Sequence, residues 1–115
     1  MRVLIVDDHA GFRAAARALL ERCGHEVVGE AADGAEALAA AARLLPELVL
    51  LDIGLPDLDG FGVADELASR ADPPSVVLVS SRGEGAYRRR LARSPVRGFL
   101  AKDALSGPAL AALLP

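Results

Sequence analysis

Cysteine, tryptophan and lysine are among the residues that this sequence almost or entirely lacks. Its one cysteine, Cys23, cannot form an internal disulfide bond or supply a cysteine-rich metal site. Aromatic residues make up 3% of the chain and none is tryptophan, so we do not expect a base-stacking surface for nucleic acids. All but one of the basic residues are arginine, which makes Lys102 the only lysine.

Long hydrophobic runs are also missing. Apolar stretches such as Leu48–Leu51 are far shorter than the roughly 20 residues that a membrane-spanning helix needs. The N-terminus has one arginine and a short apolar run before two aspartates, which is not the pattern of a signal peptide. We therefore expect a cytoplasmic protein that does not enter a membrane.

Length and composition favour a single domain over residues 1–115. A hydrophobic fraction of 52% and a charged fraction of 25% are typical of a soluble folded domain rather than a disordered tail. The formal net charge of −3 argues against direct binding of nucleic acid, because phosphate backbones require a basic surface.

Two kinds of segment alternate along the chain. Five short apolar runs bounded by turn-forming residues are typical of buried parallel strands: Arg2–Val6, Glu26–Ala31, Glu47–Leu51, Ser75–Val79 and Arg97–Ala101. Each is followed by a segment with helical spacing of apolar residues, near 12–23, 33–45, 61–68, 84–93 and 108–114. Asp33 and Glu36 are predicted to cap the second helix. This alternation predicts an α/β fold with helices on both faces of a parallel sheet.

Polar residues follow four of the five predicted strands. Asp7 and Asp8 follow the first, Asp52 the third, Ser80 the fourth and Lys102 the fifth. In parallel α/β sheets, ligands bind outside the carboxyl ends of the strands. We therefore expect these side chains to meet at one edge of the sheet.

Three carboxylates at one edge would repel each other. At a separation of about 5 Å, the repulsion is roughly 3 kcal/mol per pair at an effective dielectric constant near 20. Lys102 or a divalent cation with oxygen ligands can neutralise them. Because few protein ligands are available and water must complete the coordination shell, we predict Mg²⁺.

Four motifs at these strand ends resemble those of the response-regulator receiver domain of two-component signalling. They are Val-Leu-Ile-Val-Asp-Asp-His (3–9), Leu-Leu-Asp-Ile-Gly-Leu-Pro-Asp-Leu-Asp-Gly (50–60), Val-Leu-Val-Ser (77–80) and Gly-Phe-Leu-Ala-Lys (98–102). The resemblance covers essentially the whole chain. It implies a flavodoxin-like, doubly wound sheet of five parallel strands in the order 2-1-3-4-5, with five helices.

The resemblance also implies a role for each acidic residue. Asp52 matches the phospho-acceptor, which takes a phosphoryl group from a histidine kinase or phosphotransfer protein. Asp7 and Asp8 match the acid pair that holds Mg²⁺, together with Asp52 and the backbone carbonyl of Gly54. The domain would thus be a phospho-acceptor signalling switch rather than an enzyme acting on a separate substrate.

Three further residues match positions that respond to phosphorylation. Lys102 matches the lysine that pairs with Asp52 and then with the phosphoryl oxygens, and Ser80 matches the hydroxyl residue that binds the phosphoryl group. Phe99 matches the aromatic residue that changes rotamer, although many receivers have tyrosine there and phenylalanine has no hydroxyl. Asp103 follows the lysine where many receivers have proline, so a cis-proline turn is not expected.

The resemblance leaves the output open. The Asp-Asp-His opening and the Lys102-Asp103-Ala104 ending are similar to receivers with a LuxR-type helix-turn-helix output. The chain can therefore be a stand-alone receiver or the N-terminal module of a longer transcription regulator, which would contact DNA only through its output domain. Phosphorylation is expected to change the surface of the fourth helix, fifth strand and fifth helix, where a homodimer can form.

An arginine cluster lies on the same predicted surface. It is either a solvated helix face or a surface for a partner or a second copy, and its members are Arg82, Arg88, Arg89, Arg90, Arg93 and Arg97. His9 is interpreted as a surface or capping histidine rather than as a phosphohistidine or a ligand.

Three other functions are alternatives to the phospho-acceptor. A phosphatase or mutase with an aspartyl-phosphate intermediate usually needs Asp-x-Asp, whereas Asp7 and Asp8 are adjacent and Asp52 lies on another strand. A nucleotide-binding module would need Gly-x-Gly-x-x-Gly or Gly-x-x-x-x-Gly-Lys, and neither occurs. A receiver that works unphosphorylated is disfavoured because no essential residue is missing.

Overall fold

The computed structural model describes all residues, 1–115, and shows five strands that alternate with five helices. The strands are β1 (Arg2–Val6), β2 (Glu26–Ala31), β3 (Leu48–Asp52), β4 (Ser75–Ser80) and β5 (Gly98–Ala101). The helices are α1 (Ala10–Arg22), α2 (Gly34–Leu44), α3 (Gly60–Ala68), α4 (Arg88–Ala92) and α5 (Gly107–Ala111). None of the helices is long and apolar enough to cross a membrane.

All strand pairs are parallel, and the strand order is β2-β1-β3-β4-β5. The predicted fold class and order are therefore confirmed. The most polar strand, β2, lies at an edge, while β3 is buried along its whole length between β1 and β4. Burial on both faces explains why β1, β3 and β4 are nearly continuous apolar runs.

The sheet separates two apolar layers. On one face, α1 and α5 pack over alternate strand residues such as Ile5, Leu50 and Val79. On the other face, α2 and α3 pack over the intervening residues, and the partly buried Tyr87 and Leu91 contact the same cluster. Because neighbouring strand residues point to opposite faces, each residue's position in this alternation decides which helices it meets.

Two strands extend further than predicted, and both extensions concern the site. The third strand begins at Leu48 rather than Glu47 and includes Asp52, because Asp52 keeps its register opposite Val79. The fourth strand includes Ser80, which pairs with Ala101. Register with a neighbouring strand is tertiary information, so an apolar run in the sequence does not reveal these ends.

The second half of the chain contains the helices that depart most from prediction. The segment predicted as a helix over 84–93 begins as a 3-10 turn, Glu84–Tyr87, and becomes α-helical only at Arg88. Neither part contains a fully buried residue, so little packing favours a longer helix. Helix α5 ends at Ala111 rather than Leu114, and Ser106 caps its start by accepting from the N–H of Ala109.

The ends of the first two helices agree with their sequence signals. Gly24 follows α1 with a φ of +86°, a left-handed conformation that glycine adopts without strain. Asp33 accepts a hydrogen bond from the N–H of Glu36 at 2.8 Å, as predicted for the cap of α2. Glu36 reaches back to the N–H of Ala32 at 3.3 Å, one residue before the cap.

The start of α3 is packed against the strand that carries Asp52. A Cβ atom added at Gly60 would lie 2.6 Å from the backbone oxygen of Asp52 and 2.6 Å from the Cα of Ile53. These atoms belong to the buried backbone of the sheet and cannot move aside cheaply. The close approach of α3 to Asp52 therefore requires glycine at this position.

We expect Gly60→Ala to lower the free energy of unfolding by about 1–3 kcal/mol through overpacking. Gly62→Ala is the matched control, because nothing lies within 4 Å of a Cβ atom at Gly62 on the same helix. It should be neutral or stabilise the protein by up to about 1 kcal/mol, since alanine favours the helix. Urea denaturation followed by circular dichroism measures both variants, and equal stabilities would contradict the close packing.

Candidate functional site

Asp7 is held at the carboxyl edge of the sheet by burial and by hydrogen bonds to its backbone and side chain. It directly follows β1, it is 0% exposed, and its N–H donates to the carbonyl of Ala31. Its Oδ1 atom accepts a hydrogen bond from the N–H of His9 at 2.8 Å. Its backbone carbonyl accepts one from Arg13 Nη1 at 2.6 Å.

Arg13 is in turn held by an acidic residue of β2. Glu30 accepts from Arg13 Nε at 3.0 Å and from Arg17 Nε at 2.8 Å. The hydrogen bond from Arg17 lowers the pKa of the Glu30 carboxyl, and the bond from Arg13 does the same against the opposing effect of burial. The Arg13–Glu30–Arg17 group thus fixes the backbone of Asp7 from the side of α1.

Asp52 is the last residue of β3 and is 4% exposed. Its Oδ1 atom accepts a hydrogen bond from the N–H of Gly54 at 3.1 Å. Gly54 therefore lies beside the carboxylate, as its predicted role requires, although the role of its carbonyl stays a prediction.

Lys102 links the two buried aspartates. Its Nζ atom lies 2.7 Å from Asp7 Oδ2 and 3.4 Å from Asp52 Oδ2. The ammonium group also lies 4.8 Å from the centroid of the Phe12 ring, a cation–π distance. The single lysine of the chain is therefore held by two carboxylates and one aromatic face.

The pKa values of Asp52 and Lys102 are shifted by burial and by the neighbouring charges. Burial raises the pKa of Asp52, and the nearby Asp7 carboxylate raises it further, while the Gly54 N–H and Lys102 act in the opposite direction. Burial by itself would lower the pKa of Lys102, but Asp7 and Asp52 together raise it above its usual value. Lys102 is thus firmly protonated, whereas ionisation of the buried Asp52 costs folding free energy.

The carboxylates fit a hard divalent cation. One ligand atom from each of Asp7, Asp8, His9 and Asp52 lies within 4.8 Å of the others. Three carboxylates against one ammonium leave two negative charges uncompensated at this edge. The fully buried Asp7 Oδ2 atom, moreover, accepts no hydrogen bond of regular geometry, and its contact with Lys102 is an ion pair. Oxygen ligands of this kind are those that Mg²⁺ prefers.

His9 has a side chain that is 71% exposed, as expected for a surface histidine, and it is the residue that precedes α1. Its Nδ1 atom lies 3.2 Å from Asp7 Oδ1 and 3.1 Å from Asp8 Oδ1. The ring therefore borders the acid pair without being buried in it.

Ser80 lies at the same edge but on the other face of the sheet. Its neighbour Val79 pairs with Asp52 and belongs to the layer beneath α1 and α5. Strand alternation therefore directs Ser80 toward the layer of α2 and α3. There its hydroxyl contacts the Tyr87 hydroxyl at 3.2 Å and accepts from the Arg82 N–H at 3.0 Å. Phe99 lies on this same side, half-buried, with its ring 6.0 Å from that of Tyr87.

Sequence reasoning missed three residues that contact the site. Phe12, Arg13 and Tyr87 lie within segments for which the sequence predicts only a helix. Their spacing predicts a buried helix face but not which strand end that face covers. Phe12 and Arg13 lie within six residues of Asp7 in the sequence, which indicates that they can contact the site. For Tyr87, the sequence offers only the fact that it is the one tyrosine of the chain.

The arginine cluster is exposed at all six positions. One member is tethered, because Arg90 donates to Asp59 at the start of α3 and its guanidinium lies 4.2 Å from the Phe61 ring centroid. The others make no ion pair. The structure thus shows a basic face on α4 and its neighbouring loops, and its role as a partner surface stays a prediction.

Replacing Asp52 by asparagine should stabilise the metal-free protein at neutral pH. The raised pKa means that the parent loses stability as pH rises through the folded-state pKa of Asp52, when a buried carboxylate must ionise beside Asp7. Lys102 keeps its nearer partner, Asp7, in the variant. Thermal denaturation in a chelator should show a gain for Asp52→Asn that is larger at pH 7 than near pH 4.

Asp65→Asn on the exposed side of α3 is the control for this experiment and should show no such pH-dependent gain. A gain for Asp52→Asn that is independent of pH, or a loss of stability at pH 7, would contradict the account of the buried charge.

The fold and this edge of carboxylates, lysine and hydroxyl define a class of protein. The chain belongs to the response regulator receiver domain family, whose family model matches residues 3–113. The predicted resemblance is thereby confirmed, and the domain is a receiver of two-component signalling.

The chain is similar to transcription regulators and to enzymes that modify glutamate or glutamine residues of proteins. Over 101 residues, or 88% of this chain and 48% of the relative, the chain is 41% identical to the virulence-factor positive transcription regulator BvgA of Bordetella pertussis. Over 85 residues, or 73% of this chain and 24% of the relative, it is 51% identical to a protein-glutamate methylesterase/protein-glutamine glutaminase of Myxococcus xanthus. The chain thus spans about half or less of the length of these relatives.

Solved structures show the same receiver fold. The signal receiver domain of the response regulator NarL from Mycobacterium tuberculosis aligns with a TM-score of 0.86 and 36% identity, over 97% of this chain and 94% of that one. A LuxR-family two-component response regulator from Aurantimonas aligns with a TM-score of 0.84 and 26% identity, over 96% of this chain and 79% of that one. The similarity to receivers of LuxR-type regulators is therefore confirmed.

Proposed function

We propose that this domain is a phosphorylation-dependent switch in which Asp52 accepts a phosphoryl group from a histidine kinase or phosphotransfer protein. The observation that carries the proposal is the placement of a buried carboxylate beside one ammonium and an acid pair. The ligand atoms of Asp7, Asp8 and Asp52 lie within 4.8 Å of one another, and Lys102 contacts two of the three residues. The domain is a signalling module, and its only chemistry is phosphorylation of Asp52 and loss of that group.

The transfer step requires an ionised Asp52. One of its carboxylate oxygens attacks the phosphorus of the donor phosphohistidine, so that an O–P bond forms and an acyl phosphate results. The P–N bond breaks, and its electron pair stays on the imidazole nitrogen of the donor. Lys102 and the Gly54 N–H stabilise the Asp52 carboxylate before attack, and Lys102 is placed to contact the phosphoryl oxygens afterwards.

Asp7, Asp8, Asp52 and the carbonyl of Gly54 are the groups that would hold Mg²⁺. When bound, the ion supplies positive charge that offsets the charge of the phosphoryl oxygens and of the acid pair. Asp8 is the exposed member of the pair and Asp7 the buried one, so Asp8 is the more accessible ligand. Arg13 donates a hydrogen bond to the backbone carbonyl of Asp7 and so helps to orient Asp7 and Asp8.

The signal is read on the surface of α4, β5 and α5. Ser80 and Phe99 lie on the sheet face next to α4, and we propose that both move when Asp52 is phosphorylated. In a longer regulator, this surface would contact a transcriptional output domain or a second copy of the receiver. The relatives that are transcription regulators support this assignment, because the receiver similarity covers about half of their length.

Phosphorylation is tested directly by intact mass. The parent protein, incubated with acetyl phosphate and Mg²⁺, should gain the mass of one phosphoryl group, whereas Asp52→Asn should gain none. Asp65→Asn should behave as the parent, because Asp65 is an exposed aspartate of α3 outside the site. Equal labelling of Asp52→Asn and the parent would show that the acceptor is another residue.

Metal dependence provides a separate test. Mg²⁺ binds the folded state, so it should raise the unfolding free energy of the unphosphorylated parent by about 2.7 kcal/mol at one hundred times its Kd. Asp8→Asn should lose most of this increase and Asp65→Asn none of it. Thermal denaturation with and without millimolar Mg²⁺ measures the effect, and an unchanged parent melting temperature would mean that the acid pair does not hold the metal.

A further inference from the structure

The contact between Ser80 and Tyr87 is a polar contact of the switch residue Ser80 that the phosphorylation chemistry does not require. The Ser80 Oγ and Tyr87 Oη atoms lie 3.2 Å apart. Ser80 is 4% exposed, and Tyr87 is half-buried at the junction between the 3-10 turn and α4. Tyr87 is the only tyrosine of the chain, so no other phenol is present.

The tyrosine ring is fixed by aromatic neighbours on both sides. Its centroid lies 5.9 Å from that of Phe61 and 6.0 Å from that of Phe99, with interplanar angles of 50° and 47°. Arg90 covers the Phe61 ring and pairs with Asp59. These contacts hold the phenol hydroxyl against the end of β4 rather than leaving it free in solvent.

In this contact the Ser80 hydroxyl is directed away from Asp52, so its orientation keeps it from a phosphoryl group there. It carries one hydrogen, and its oxygen already accepts from the Arg82 N–H. A phosphoryl oxygen only accepts, so Ser80 must donate that single hydrogen to it. Whichever hydroxyl is the donor in the resting contact, the Ser80 oxygen faces the layer of Tyr87, opposite to the face of Asp52.

We propose that Tyr87 is a positioning residue whose hydroxyl holds Ser80 away from Asp52 in the unphosphorylated protein. Phosphorylation must break the Ser80–Tyr87 contact before Ser80 reaches the phosphoryl group. The released phenol then leaves its site between Phe61 and Phe99, which is how the change at Asp52 reaches α4. The proposal rests on the proposed function, since it assumes that Asp52 is the acceptor.

The segment that carries Tyr87 is suited to such a movement. Residues Glu84–Ala92 contain no fully buried side chain, and Tyr87 and Leu91 are its contacts with the apolar layer. A segment with so few buried contacts opens at a low free-energy cost compared with the rest of the fold. Loss of one hydrogen bond at Tyr87 can therefore shift its position.

The test is a double-mutant cycle on the binding of beryllofluoride, a phosphoryl mimic, with saturating Mg²⁺. Tyr87→Phe removes only the hydroxyl, so it should bind beryllofluoride about two- to tenfold more tightly than the parent, which corresponds to the net strength of one hydrogen bond. Ser80→Ala should bind it more weakly. In the Ser80→Ala background, Tyr87→Phe should change the affinity by less than about 1.5-fold, because its partner is already absent.

Two results would overturn the proposal: an affinity of Tyr87→Phe equal to or weaker than that of the parent, or a Tyr87→Phe effect that persists without Ser80. Titration followed by amide chemical shifts measures all four proteins, and their urea midpoints separate a general loss of stability from the specific coupling. If the parent neither binds beryllofluoride nor is phosphorylated on Asp52, the proposed function fails instead, so the two failures are distinguishable.

The single tyrosine gives a second readout. Because the chain has no tryptophan, its fluorescence reports Tyr87 alone. Beryllofluoride should shift the fluorescence of the parent toward that of free Ser80→Ala, in which the contact is already broken. An unchanged parent signal on saturation would show that Tyr87 stays in place and would refute the release step.

Discussion

The repulsion among Asp7, Asp8 and Asp52 at the carboxyl edge of the sheet is the constraint on which the rest of the site depends. Lys102 compensates one of these charges, and burial keeps the pKa of Asp52 raised. In the proposed function, a cation and a phosphoryl group make use of this charged group. In the proposed function, the same charge imbalance that costs stability favours the binding of Mg²⁺ and the transfer of a phosphoryl group to Asp52.

The alternation of strand residues in the parallel sheet places the groups of this edge on two different faces. Asp52 pairs with Val79, which lies in the layer of α1 and α5, and Lys102 contacts Phe12 of α1, while the neighbouring Ser80 faces the other layer. In the proposed function, a phosphoryl group on Asp52 draws Ser80 away from the layer of α2 and α3. The start of α3 at Gly60 is packed closely against the Asp52 strand end, whereas the segment around Tyr87 contains no fully buried residue.

Much of the fold and of the acid edge could be predicted from the sequence. Apolar runs separated by helical patterns identify five strands and five helices, and residues at strand ends share an edge because parallel strands end together. Asp7, Asp8, Asp52 and Lys102 meet there for that reason. The end of β3 at Asp52, the 3-10 turn before α4 and the early end of α5 were not predicted, because register and packing fix them rather than local pattern.

The sequence by itself determined the chemistry: which residues carry charge, which strand each follows, and that a lone lysine and three aspartates converge. Only the tertiary structure decided how these groups are partnered. Lys102 lies closer to Asp7 than to Asp52, Arg13 fixes the Asp7 backbone, and Ser80 bonds Tyr87 rather than the acid edge. The physical reason is that periodicity reports which face of an element is apolar, whereas a hydrogen bond depends on distances between elements far apart in the chain.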